Sequence, residues 1–138
     1  MYRIGDVEVT RIEEVNLTEP PIMFAEWRKE MAGDYRDWLL PDFYIPEADS
    51  FHVSIHSWLL RSARHTILID TCGGNAKERP ASPRFHELDT PYIARLKTAG
   101  VAPEDVDYVI CTHFHVDHVG WNTRLAEGRW VPTFPKAT

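Results

Sequence analysis

Three of the seven histidines, His113, His115 and His118, fall within six consecutive positions together with Asp117. Imidazole and carboxylate are the donors that zinc, iron and manganese accept. In extended backbone His113 and His115 point to the same side, so the two can share one ion. Asp117 and His118 are neighbours in sequence. A turn into a helix near Asp117 would aim that pair at a second position beside the first. Two ions about 3.5–4 Å apart form a catalytic arrangement that clamps the attacking and leaving oxygens of a displacement. A single histidine is more often an ordinary polar surface group. Four donor-type residues at this spacing make chance crowding a poor explanation.

The donors need a rigid mount. Tyr108-Val109-Ile110-Cys111 precedes them and reads as a buried strand, apolar and rich in β-branched and aromatic residues. Upstream, Thr66-Ile67-Leu68-Ile69 is a second buried strand, and it ends at Asp70. A carboxylate at the end of an apolar strand is costly without a partner. Asp70 either caps the following loop through backbone N–H groups or receives a hydrogen bond from a metal-bound histidine. Between the two strands, Thr90 is the expected cap of a helix with Pro91 at its first position and Gly100 past its end. Strand, helix, strand predicts a right-handed crossover between parallel neighbours. Asp70 and His113 then emerge at C-terminal strand ends, where open α/β sheets carry their sites.

His113-x-His115-x-Asp117-His118 resembles the HxHxDH signature of the metallo-β-lactamase superfamily, as do its lead-in strand and the trailing Val119-Gly120-Trp121-Asn122. Ile67-Leu68-Ile69-Asp70-Thr71-Cys72-Gly73 resembles the family's strand-Asp-Thr-Gly segment, with a departure at Cys72, where glycine often follows the threonine. The likeness covers residues 51–123. It implies an α/β fold: a metallo-β-lactamase-like αββα sandwich, of which this chain holds the N-terminal half, a mixed sheet with helices. It implies His113 and His115 on one metal and Asp117 and His118 on the other. Asp117 doubles as the catalytic residue, and Asp70 orients one of the ligands. The cofactor implied is a divalent metal, zinc first, up to two ions, with manganese or iron as alternatives. The implied activity is hydrolysis of an ester, lactone or similar bond in a small molecule through metal-activated water, on the lactonase-like side of the family.

A larger departure concerns ligands. The family draws a further histidine, a bridging aspartate and a last histidine from a second half. After His118 this sequence has no histidine, and its only acidic residue is Glu127. The alternative expectation is therefore a truncated or split, non-catalytic fragment that binds metal weakly or associates with another chain. A third expectation is a homodimer whose two copies rebuild a sandwich across the uncovered surface, each presenting its own four ligands.

At 138 residues the chain has the size of one domain, here read as a single partial domain over 1–138. A net charge of −6, from 21 acidic and 15 basic residues, with no run of Lys or Arg, argues against a nucleic-acid surface. No signal pattern opens the sequence and no apolar run approaches the ~20 residues of a membrane span, so a soluble cytoplasmic protein without membrane contact is expected. Cys72 and Cys111 form no disulfide framework and read as small buried residues.

The remaining expectations are structural. Residues 2–15 form a hairpin about Gly5-Asp6, and 51–61 pairs with 65–70. Residues 16–50 are an aromatic-rich insertion, either packed over the sheet or serving as a lid, with a helix over 22–31. Residues 76–89 are a loop. Trp121–Ala126 is a short helix closed by Gly128, and Trp130-Val131 is extended. His52, His56, His65 and His86 are ordinary polar histidines. Gly73-Gly74 lacks the Lys-Ser/Thr context of a phosphate loop.

Overall fold

A computed structural model describes all residues, Met1–Thr138. The chain divides into two compact units, one of residues 1–15 and 55–138, the other of 16–54. Strands β1 (Tyr2–Ile4), β2 (Val7–Glu19), β3 (Tyr44–Ile45), β4 (Ser50–Arg61), β5 (Thr66–Ile69) and β6 (Tyr108–Ile110) make one mixed sheet. Its order is β1-β2-β4-β5-β6, with β3 on β4. The expected hairpins are present: β1 pairs antiparallel with β2, and β4 with β5.

In the first unit the decisive pairing is parallel, β5 beside β6, with Ile69 opposite Ile110. The crossover between them carries helix α1 (Tyr92–Thr98), which buries Tyr92 and Leu96. Together with Leu59, Leu68 and Val106 these are fully buried. Each contributes roughly 1.5–3 kcal/mol of burial. Gly100 ends the helix at φ +82, the left-handed conformation that glycine adopts freely.

Three local expectations give way. Thr90 does not cap α1: Pro91 holds the cap position without a side-chain hydrogen bond. The Thr90 hydroxyl instead bonds Glu14 and Asn75. Strand β6 is not buried; Tyr108 and Ile110 are exposed, because it is the outermost strand of the sheet. Residues 121–126 are not a helix. A 3₁₀ turn, Gly120–Asn122, leads into β7 (Thr123–Ala126), which pairs antiparallel with β8 (Arg129–Pro132). Glu127 at φ +50 and Gly128 at φ +74 supply the two left-handed residues of a tight hairpin turn. Lys77 braces that hairpin, donating to the Thr123 carbonyl and hydroxyl and lying 3.8 Å over the Trp130 ring.

The second unit, 16–54, contains no helix over 22–31. Pro21–Met23 is a 3₁₀ turn, and two single-turn helices follow, Met31–Asp34 and Arg36–Leu39. The prolines and the short periodic stretches do not sustain a longer helix. Ala32, Leu39 and Tyr44 form its core, packed by Trp27, Leu40 and Phe51. The Tyr44 hydroxyl and Trp27 Nε1 both donate to Asp49 Oδ1, at 2.6 and 3.1 Å. Phe24, Trp27, Met31, Trp38 and Phe51 line an apolar cleft of about 470 Å3. No helix of the molecule is long and apolar enough to cross a membrane.

Candidate metal centre

Parallel pairing of β5 and β6 carries the chain out at the same sheet edge twice. Asp70 N–H donates to the Ile110 carbonyl at 2.8 Å, so Asp70 stands beside the start of the histidine loop. Asp70 lies at φ +58, a conformation that aspartate tolerates better than most residues. Its Oδ1 accepts from Thr112 N–H at 2.8 Å, and its Oδ2 from the Thr112 hydroxyl at 2.8 Å and from His118 Nδ1 at 2.8 Å. Asp70 thus caps the Thr112 backbone N–H and accepts from the His118 ring at once.

This network assigns ring protons. His118 Nδ1 must carry a proton to donate to Asp70, so in the neutral ring it is Nε2 that keeps the lone pair. The single Thr112 hydroxyl proton is committed to Asp70. The hydroxyl therefore accepts from His113 Nδ1 at 3.1 Å, and His113 Nε2 is freed in the same way. One half-buried carboxylate thus orients two imidazoles, directly and through Thr112, so that in the neutral rings the Nε2 lone pairs face outward. Burial pushes the Asp70 carboxyl up, but the hydrogen bonds from His118 and Thr112 outweigh it and hold the group below the usual aspartate range.

The freed nitrogens have partners. His113 Nε2 lies 3.1 Å from His115 Nδ1, and His118 Nε2 lies 3.4 Å from Asp117 Oδ2. Two donors on one tetrahedral zinc, each bonded at about 2.0–2.1 Å, stand about 3.3 Å apart. Each pair fits one edge of such an ion. The pairs adjoin, with the His113 and His118 ring centroids 3.9 Å apart. No three His, Cys, Asp or Glu side chains surround a common point. The donors thus match a metal by type and by the spacing within each pair, and no set of three or more is assembled.

Backbone bonds lock the loop's exit to the segment after β5. Thr71 N–H donates to the His118 carbonyl at 2.8 Å, Gly120 N–H to Cys72 at 2.7 Å, and Trp121 N–H to Thr71 at 2.8 Å. A Cβ on Gly120 would collide with the Gly73 carbonyl, so the two backbones touch directly. Cys72 lies at φ +50, the left-handed region, which gives a physical reason for glycine being common there. Its thiol is buried against the Ser57 hydroxyl, and burial pushes its pKa strongly upward. Cys111, expected to be buried, is only half so. Beside the donors, Pro83, Phe85, Phe114 and Val116 line a cleft of about 460 Å3 that reaches His115 and Asp117. Phe114 is 86% exposed at its mouth.

A family profile described as the metallo-beta-lactamase superfamily matches residues 51–138, well over half of the chain. The chain belongs to this superfamily. A curated relative, the N-acyl homoserine lactonase AttM of Azorhizobium caulinodans, is 32% identical over 100 residues, covering 64% of this chain and 34% of its own. A probable metal-dependent hydrolase from Staphylococcus aureus aligns with 99% of this chain and 47% of its own at TM-score 0.75 and 24% identity. AidC, a dizinc quorum-quenching lactonase in complex with a homoserine product, aligns with 99% and 42% at TM-score 0.69 and 20% identity. The chain thus spans about a third of the curated relative it matches and under half of each of these structures. The mixed α/β architecture is that of metallo-beta-lactamase fold proteins.

Two contributors were missed in the sequence. Thr112 relays Asp70 to His113; a hydroxyl immediately before the first donor was the available signal. Glu14 is buried and bonded to Gly73, Gly74 and Trp121. It shares a strand face with the buried Ile12, and a carboxylate on a core-facing position was the signal there.

Proposed function

We infer that this chain is the metal-holding portion of a hydrolase that opens a small cyclic ester, a lactone of the acyl-homoserine kind. The observation that carries this reading is the Asp70 network, which turns His113 and His118 so that their free nitrogens meet His115 and Asp117. The lactonase names of the curated relatives support the choice of bond. His113 with His115, and Asp117 with His118, would each hold a divalent ion, zinc first. Bound there, such an ion is a Lewis acid that lowers the pKa of water to about 7. Asp117 is the catalytic carboxylate of this reading: it takes up the proton that the attacking water gives up and returns it to the ring oxygen as the ester C–O bond breaks. Asp70 keeps His118 in its tautomer throughout. The cleft at Phe85 and Phe114 receives the apolar part of the substrate and keeps water from it.

The test is zinc content together with turnover of an N-acyl homoserine lactone by the 138-residue chain, with and without added zinc. Zinc-dependent turnover is expected, falling about 10²-fold or more in His115→Ala and Asp117→Ala. A chain that takes up no metal and turns over nothing overturns it.

A second reading is favoured by the missing third donor at each pair: a fragment that becomes competent only with a complementing chain or a second copy. Its docking edge would be β6. Thr138 already makes one parallel bridge there, donating to the Asp107 carbonyl at 3.0 Å and accepting from Val109 N–H at 3.1 Å. Ile110 beside it is 51% exposed. A sedimentation mass of one chain, with turnover intact, excludes this reading.

A further inference from the structure

Glu14 is the most buried charged side chain of the molecule, 2% exposed on the inward face of β2. Its Oε2 accepts from Gly73 N–H at 2.6 Å. Its Oε1 accepts from Gly74 N–H at 3.0 Å, Trp121 Nε1 at 2.6 Å and the Thr90 hydroxyl at 3.2 Å. No cation hydrogen-bonds the carboxylate; the nearby Arg79 guanidinium feels its charge and donates instead to the Gly73 carbonyl at 2.7 Å. Arg95 beside it donates to the main-chain carbonyls of Glu13 and Glu14. Every partner is a donor, so the position demands a group that only accepts. A brace for the fold alone would not need this, since apolar packing serves strands as well and avoids the cost of burying a carboxylate.

What Glu14 grips gives the reason. Gly73 lies three positions after Asp70, and Trp121 three positions after His118. These are the segments that carry the two partners of the 2.8 Å Asp70–His118 hydrogen bond. They meet where the Gly73-Gly74 backbone lies against Gly120, a contact with no side chain to key it. The carboxylate binds both sides of that contact, and Trp121 is further fixed by stacking on Tyr92, with centroids 5.3 Å apart. We propose that Glu14 is a positioning residue for the metal donors: by clamping Gly73-Gly74 to Trp121 it keeps His118 on Asp70. This rests on the reading of His113, His115, Asp117 and His118 as metal ligands.

Glu14→Gln tests it. An amide in either orientation sets an N–H against an N–H of Gly73, or of Gly74 and Trp121. Glu8→Gln, on the same strand as Glu14, is the control: it removes the 2.9 Å ion pair to Arg61 of β4 and touches none of the clamp. Two quantities are measured on the whole chain: zinc affinity by calorimetry, and amide hydrogen exchange without metal. Expected for Glu14→Gln are zinc binding weaker by about 10–100-fold and exchange at Gly120 and Trp121 faster by about tenfold. Leu59 and Leu68 should exchange as in the parent, and Glu8→Gln should change neither quantity. Trp121→Phe, which removes one donor without an N–H clash, should give the same pattern at smaller size and serves if Glu14→Gln fails to fold. Uniform acceleration at every amide makes Glu14 a brace of the fold and overturns the proposal, as does parental exchange at Gly120 and Trp121. If the parent binds no zinc while Glu14→Gln still loosens Gly120 and Trp121, the clamp stands and the ligand reading falls.

Discussion

Asp70 and His118 are 48 positions apart and joined by a 2.8 Å hydrogen bond from the ring Nδ1 to the carboxylate. That bond decides which ring nitrogen is left for a metal. Asp70→Asn keeps an acceptor for Thr112 but presents an amide where His118 must donate. Zinc affinity should fall by about 10–100-fold, with a stability loss of about 1–2 kcal/mol. Calorimetric titration with zinc beside a denaturant melt checks both, and undiminished affinity would show that the bond does not select the tautomer.

Two glycines should respond to the same change in opposite directions. Gly120→Ala forces a methyl into the Gly73 carbonyl and should cost about 3 kcal/mol or more, or prevent folding. Gly33, in the single-turn helix Met31–Asp34, has open space around it, and Gly33→Ala should stabilise by about 0.5–1 kcal/mol. Urea unfolding of both variants measures the contrast.

The two thiols should be chemically unequal. Cys72 is fully buried, and burial disfavours its thiolate, the reactive form. Cys111 is half-exposed. Titration with an aromatic disulfide reagent near neutral pH should count one thiol in the folded chain and two after unfolding. Prompt reaction of both in the folded chain would contradict the burial of Cys72.

Tyr44 gives the second unit an alkaline limit. Burial, reinforced by the hydrogen bond to Asp49, pushes its hydroxyl up to about 12 from 10.0. The folded form keeps the proton after the unfolded form has begun to lose it. The stability contributed is therefore complete below pH 10.0 and is lost as pH rises towards about 12. Melting temperatures from pH 9 to 12 should fall more steeply in the parent than in Tyr44→Phe, and parallel slopes would refute the assignment.

Much of the site was legible because its information is local. The donor spacing at 113–118 and the carboxylate ending an apolar strand at Asp70 are short patterns, and the parallel pairing followed from strand, helix, strand. The core-facing position of Glu14 was legible but what it grips was not, because its partners lie 59 to 107 positions away. The helix expected over 121–126 failed for the opposite reason. Leu125 and Ala126 favour a helix locally, but the left-handed pair Glu127-Gly128 folds the chain back and strand pairing prevails. Tyr108 and Ile110 look interior by composition; only the strand order puts them at the rim.

The contact of Gly120 with Gly73 also bears on how the molecule can change by inheritance. Any amino-acid change at position 120 adds at least one carbon where main-chain atoms of another segment already sit. A saturation library screened for soluble chain should return the parental codon family at that position, while position 5, where a Cβ meets nothing within 4 Å, admits asparagine or aspartate despite its φ of +58.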